Sequence, residues 1–237
     1  MNTPTVSAEA GRAILVIDVG GTHVKAGIST HPDVKRKFDS GRQLTPAQMV
    51  AGIQDMTADW DYDVVSIGYP GAVLGGRPVH DPYNLGPGWL GFDFAAALAH
   101  PVRLVNDAAM QALGNYRGGK MLFLGLGTGL GSAMIIDAVV EPMELAHLPY
   151  RKGRTFEDYI GLRGLHRRGG KKWRKAVFDV VARLEQALEP DEVVLGGGNV
   201  KRLETLPPGT RRGADRAAFT GGFRLWQPGR IATAADS

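Results

Sequence analysis

The sequence predicts an α/β protein made of two lobes built on one plan, and three observations carry that prediction. A glycine-rich loop, Asp18-Val19-Gly20-Gly21-Thr22, follows the apolar run Ala13 to Ile17. A second, Leu126-Gly127-Thr128-Gly129-Leu130-Gly131, follows Met121 to Leu124. Each leads back into an apolar stretch, so each half opens with a strand–glycine–strand hairpin, the mark of an internal duplication.

The elements follow in order. Ala13 to Val19 is dense in Ile, Val and Leu and reads as a buried strand, with Val24 to Ser29 as its hairpin partner. Thr45 to Trp60 places Met49, Ile53, Met56 and Trp60 at helical spacing, with Thr45 as N-cap and Pro46 at the first helical position. Val64 to Tyr69 is a strand ending at Pro70-Gly71, and residues 75–91 are rich in turns. Phe92 to Ala99 reads as helix, Val102 to Val105 as strand, and Ala108 to Leu113 as the start of the next helix. The second hairpin runs from Met121 to Asp137. A long helix over Lys171 to Leu188 buries Val177, Val180, Val181, Leu184 and Leu188, and Pro190 stops it. Val193 to Leu195 is a short strand running into Gly196-Gly197-Gly198. Lys201 to Arg216 is polar, and Ala217 to Trp226 closes the chain as a short helix. These readings divide the chain into a flexible leader (1–12), a small N-terminal lobe (13–107), a larger C-terminal lobe (108–216), the closing helix (217–226) and a disordered tail (227–237).

Composition narrows the function. With 237 residues, 43% of them hydrophobic, the chain can bury a sizeable core. There is no cysteine, which excludes disulfides and cysteine-ligated zinc. No stretch approaches the roughly 20 apolar residues of a membrane span, and the polar start has no secretory signature. The expectation is a soluble, cytoplasmic protein. The net charge of +4 favours anionic partners. Much of it lies in Arg163, Arg167, Arg168, Lys171, Lys172, Arg174 and Lys175, a run that is either a solvated face or the lining of a polyanion site. His166 and Trp173 interleave with that run, but no nucleic-acid motif is present, so nucleic acid is an unlikely partner.

Glycine loops suit phosphate because the backbone can come close and adopt positive φ, exposing its N–H groups. Gly20, Gly21 and Thr22, and Gly127, Thr128 and Gly129, are the candidates, the two threonines adding hydroxyl donors. Each loop alone reads equally well as a tight turn. Asp107, after a buried strand, reads either as a helix N-cap or as a base at a strand's carboxyl end. Asn106 beside it suits the same substrate, and Glu144 and His147 suit polyol hydroxyls. Glu157 taken alone is a solvated surface residue. Gly196, Gly197 and Gly198 bring backbone against a flat base or simply turn the chain.

As an ordered set, these motifs resemble the ROK family (repressor, open reading frame, kinase) of the actin-like ATPase superfamily. Asp18-Val-Gly-Gly-Thr-His-Val-Lys25 is similar to its first phosphate motif, and Tyr69-Pro-Gly-Ala-Val73 to the strand-turn that follows. Asn84-Leu-Gly-Pro-Gly-Trp89 is similar to its sugar loop, and Val105-Asn-Asp-Ala108 to its catalytic motif. Leu126 to Gly131 is similar to the second phosphate motif, Glu144-Leu-Ala-His147 to the Glu-x-Gly-His sugar motif, and Val194-Leu-Gly-Gly-Gly198 to the adenosine segment. The resemblance implies a duplicated actin-like (ribonuclease H-like) ATPase fold, two lobes with a central cleft. It implies a hexokinase or glucokinase that moves a phosphoryl group from ATP or inorganic polyphosphate to the 6-hydroxyl of glucose or a close hexose. Asp107 is then the general base; Asn84, Asn106, Glu144, His147 and Glu157 bind sugar. Asp18, Lys25, both glycine loops and Gly196 to Gly198 bind phosphate or nucleotide, and Asp18 meets Mg²⁺ directly or through water. A homodimer is also implied. A sugar-binding sensor without catalysis and a polyanion-binding protein are the alternatives. Most relatives carry a cysteine-rich zinc loop after the Glu-x-Gly-His motif. Here it is absent or replaced by Tyr150 to Tyr159, as in the zinc-less polyphosphate glucokinase branch.

Overall fold

The computed structural model describes residues 11–227 and the backbone of 232 and 233. Most of the expected leader and tail therefore lies outside the described residues. The chain divides into two compact units, residues 1–105 with 222–231, and 106–221 with 232–237.

The first unit opens with β1 (Ile14–Val19), whose side chains are buried on both faces, as a central strand requires. It turns into antiparallel β2 (His23–Ile28) and then β3 (His31–Asp39), an exposed edge strand. α1 (Pro46–Met56) starts at a capping box: Thr45 and Gln48 satisfy each other's backbone N–H groups, and Pro46 takes the first turn. β4 (Val64–Tyr69) runs parallel to β1 and is fully buried. β5 (Val73–Leu74) and β6 (Arg77–Pro78) form a small ladder turned by Gly75 and Gly76, both at positive φ. α2 (Phe94–Leu98) is capped by Asp93, and β7 (Val102–Asn106) completes a sheet of order β3-β2-β1-β4-β7. Trp89, Tyr69, Phe94, Met49 and Ile53 fill the core on its face.

The second unit repeats the wiring. α3 (Asp107–Asn115) leads to β8 (Lys120–Leu126), β9 (Leu130–Ile136) and β10 (Val139–Met143), an antiparallel meander. α4 (Phe156–Ile160) and α5 (Leu162–Leu188) cross over to β11 (Glu192–Gly196), parallel to β8, and then β12 (Thr210–Arg212). α6 (Ala217–Arg224) follows, and β13 (Ala232–Thr233) pairs with β10. Taken from the other end, the order β10-β9-β8-β11-β12 matches β3-β2-β1-β4-β7 strand for strand, with β13 added beside β10. The duplicated α/β fold expected from the paired hairpins is therefore present.

α5 begins nine residues before the Lys171 expected from the sequence, and the helix breaks at Gly169 (φ 72°, ψ 160°). Trp173 does not interleave with the basic run at the surface. It is fully buried and donates its indole N–H to Ile160 O at 2.7 Å, so it offers no face to a nucleic-acid base. No helix among the described residues is long and apolar enough to cross a membrane.

Candidate active site

One group of candidate residues lies in the first unit. The β1–β2 register sets Asp18 directly opposite Lys25, and their carboxylate and ammonium groups meet at 3.0 Å. The turn between them is closed by Gly20 N donating to His23 O at 3.0 Å, and Ser40 Oγ donates to Gly20 O at 2.6 Å. Asn84 belongs to the same place: a Cβ on Gly21 would stand 3.3 Å from the Asn84 Cβ. Among the described residues no three His, Cys, Asp or Glu side chains cluster as a metal site. Asp18 offers one largely buried carboxylate, which fits Mg²⁺, an ion that takes one or two protein carboxylates and fills its shell with phosphate and water.

The loop that carries Asn84 is held by a residue the sequence did not single out. Asp81 accepts the backbone N–H groups of Gly88, Trp89 and Leu90 at 3.2, 2.7 and 3.2 Å. The Trp89 and Gly88 amides hold its carboxyl below the usual carboxylate range. One strand end is tied to the same segment by Tyr69, whose hydroxyl donates to His80 O at 2.7 Å. Burial first, and then the Asp81 charge, push the Tyr69 phenol up.

Another group lies in the second unit. Asn106 is the N-cap of α3, its side chain accepting Ala109 N at 3.1 Å. Asp107 is thereby the first residue of the helix rather than its cap, and its Oδ1 accepts Ala108 N at 2.7 Å. The helix start packs on the second glycine loop: a Cβ on Gly131 would stand 2.9 Å from the Ala108 Cβ. Glu157 reaches the same loop. Its Oε2 accepts Leu130 N at 3.2 Å, its Oε1 lies 3.5 Å from Arg163, and its side chain is only 27% exposed. Leu162 N donates to Thr128 O at 3.0 Å, fixing the start of α5 to the loop. Asn199 Nδ2 donates to Gly127 O at 2.8 Å and joins Gly196 to Gly198 to it. Glu144 and His147 stand on one 3-10 turn, 3.8 Å apart and mostly exposed, and Ser132 ties that turn to β9 by accepting Leu145 N and donating to Met143 O.

One physical expectation is corrected. Gly20, Gly21, Gly127 and Gly129 are absent from the positive-φ residues, so backbone handedness does not explain them. Close approach explains three of them: a Cβ would sit 3.0 Å from His23 O on Gly20, 3.3 Å from the Asn84 Cβ on Gly21 and 2.3 Å from Glu157 Oε2 on Gly129, whereas one on Gly127 would meet nothing within 4 Å. Gly197 alone in these motifs needs both reasons, with φ 82° and a would-be Cβ 2.5 Å from Leu126 O.

Where most relatives are expected to place a zinc loop, residues 148–156 form a short hairpin. Phe156 N donates to Leu148 O at 3.0 Å, and Tyr150 N to Arg154 O at 2.7 Å. Asp81, Ser132 and Asn199 were missed because each acts through backbone atoms several residues or a whole strand away, which no local motif records.

Known proteins similar to this chain place it in a family. The chain is 27% identical over 214 residues to the polyphosphate glucokinase of Mycobacterium leprae, an alignment covering 81% of this chain and 65% of that protein. It superposes on the inorganic polyphosphate/ATP-glucomannokinase of Arthrobacter sp. strain KM with a TM-score of 0.77 at 24% identity, covering 91% of this chain and 98% of that one. The ROK family glucokinase of Streptomyces griseus, solved with glucose and AMPPNP, gives a TM-score of 0.73 at 17% identity, covering 90% and 98%. The family's own sequence pattern matches residues 14–141, more than half of the protein, and the chain belongs to the ROK family.

Proposed function

We propose that this protein is a hexokinase that phosphorylates the 6-hydroxyl of glucose or a close hexose, using ATP or inorganic polyphosphate. The observation that carries the reading is the division of labour at the start of α3. Asn106 caps the helix, which leaves the Asp107 carboxylate at the first helical position, beside the packing of Ala108 on Gly131. Asp107 accepts the hydroxyl proton as the sugar oxygen bonds to the terminal phosphorus and the bond to the leaving phosphate breaks. In a loose transition state that proton moves late, so the base need not be strong. Base catalysis contributes roughly 10²–10⁴-fold, and alignment with charge stabilisation supplies most of the rest.

Asn84, Asn106, Glu144, His147 and Glu157 hold the sugar. The Gly20–Thr22 and Gly127–Gly129 backbones, with Lys25, hold phosphates, and Gly196 to Gly198 accept the nucleoside when ATP is the donor. Asp18 would hold Mg²⁺, which when bound neutralises phosphate charge. The M. leprae and Arthrobacter relatives support polyphosphate as a donor. So does α5: Lys171, Lys172 and Lys175 are exposed without an ion-pair partner among the described residues, on the helix whose first residue is bonded to Thr128. Arg167 donates instead to Asp158 O, and Arg174 pairs with Glu204. A cytoplasmic location and a homodimer belong to the same proposal.

A panel of hexoses crossed with ATP and polyphosphate, with and without Mg²⁺, tests it. Sugar-6-phosphate formed with one donor or both is the expected result. Tight sugar binding without turnover on either donor would replace the kinase with a sensor.

A further inference from the structure

The hairpin over 148–156 starts one residue after His147 and ends one residue before Glu157. Its two arms therefore set the spacing of two proposed sugar ligands. A ladder this short is marginal by itself, so its hold must come from elsewhere. Tyr150 supplies it. Its ring packs edge-on to Phe156 at 5.4 Å and to Tyr159 at 4.7 Å, both on the α4 side of the hairpin. Its hydroxyl donates to Asp179 Oδ2 at 2.5 Å. Asp179 also takes Arg151 at 3.1 Å and Arg183 at 2.8 Å, and both guanidinium groups lie over the Tyr150 ring. Asp179 sits on α5 beyond the Gly169 break, on the stretch rooted in the core by Val177, Val180 and Val181.

We propose that Tyr150 and Asp179 are positioning residues, a hydrogen-bonded staple that fixes His147 and Glu157 for the sugar; the inference rests on the sugar-kinase reading above. Glu157 reaches Leu130 N from the first turn of α4, so a hairpin that slides carries this carboxylate off the second glycine loop. The charge state supports the arrangement. Burial pushes the Asp179 carboxyl up, but the bonds from Tyr150 and Arg183 outweigh it and hold the group below the usual range.

Tyr150→Phe keeps the ring packing and removes only the hydroxyl. Losing a hydrogen bond to a charged group predicts a KM for sugar raised about tenfold, with kcat and the donor KM within about twofold of wild type. Asp179→Asn retains an acceptor and loses less, whereas Asp179→Leu also releases Arg151 and Arg183 and raises the sugar KM at least as far as Tyr150→Phe, and adding Tyr150→Phe to it changes little. Hydrogen exchange should quicken at the Tyr150 and Phe156 amides in Tyr150→Phe and nowhere in α1. An unchanged sugar KM, or a parallel change in kcat and both KM values, overturns the positioning role. A wild-type protein inactive on every hexose overturns the sugar-kinase reading and the positioning role with it. Unaltered exchange at those two amides overturns the staple itself.

Discussion

Replacing Asp107 with Asn separates chemistry from stability, because the structure gives those two tasks to neighbouring residues. The substitution removes the proposed base, a loss of roughly 10²–10⁴ in kcat, or about 2.7–5.4 kcal/mol of barrier. Asparagine retains an acceptor oxygen for Ala108 N, and the α3 cap is Asn106, which is untouched. What folding loses is a negative charge in the first helical turn, about 0.3–1 kcal/mol. For a chain of this size each kcal/mol moves Tm by roughly 2–4 °C, so the shift stays within about 4 °C. Asn106→Ala inverts the pattern by deleting the cap, at about 0.5–2 kcal/mol and up to about 8 °C. The assay is steady-state turnover with saturating sugar and donor, beside thermal unfolding of both variants. An Asp107→Asn enzyme within tenfold of wild-type kcat refutes the base. A greater loss of stability at 107 than at 106 refutes the division of labour.

Three further outcomes follow. Gly197→Ala forces a side chain onto φ 82° and against Leu126 O, so unfolding should show a loss of about 1–3 kcal/mol from the backbone alone. Burial, and then the bond to Asp179, push the Tyr150 phenol up to about 12, from 10. The protonated form is favoured by folding, so this stability is complete below about pH 10 and is lost as pH rises towards 12. Alkaline melts of wild type should therefore fall more steeply across that window than those of Tyr150→Phe. Finally, joint replacement of Lys171, Lys172 and Lys175 by Gln should raise the KM for polyphosphate and weaken its salt dependence while leaving the ATP KM unchanged. Equal effects on both donors would remove the lysines from that role.

The strands and helices with strong apolar patterns were legible in the sequence: β1, β4, β7 and β8, and α1 with its Thr45 cap and Pro46. The edge strand β3 and its counterpart β10 were not. His31 to Asp39 is polar and carries Pro32, and it is a strand because β2 pairs with it, not because of its own side chains. The start of α5 was read late, at Lys171, because helix continues on both sides of the break at Gly169. Within the site, Asn106 with Asp107 and the two glycine loops could be found by motif. Their glycines could not be interpreted, since a sequence does not distinguish a turn that needs positive φ from one that needs room beside Glu157 or Asn84. Asp81 was invisible for a related reason. Its partners are main-chain amides, which every residue but proline carries alike.

The pairing of Asp18 with Lys25 depends on counting. Three residues separate β1 from β2, and that number alone brings the two side chains to the same rung and face. Lengthening or shortening the connection by one amino acid would send the lysine to the reverse side, leaving the aspartate with no counter-ion from β2. Insertions and deletions, rather than substitutions such as those at His23, are the changes this hairpin is least able to absorb.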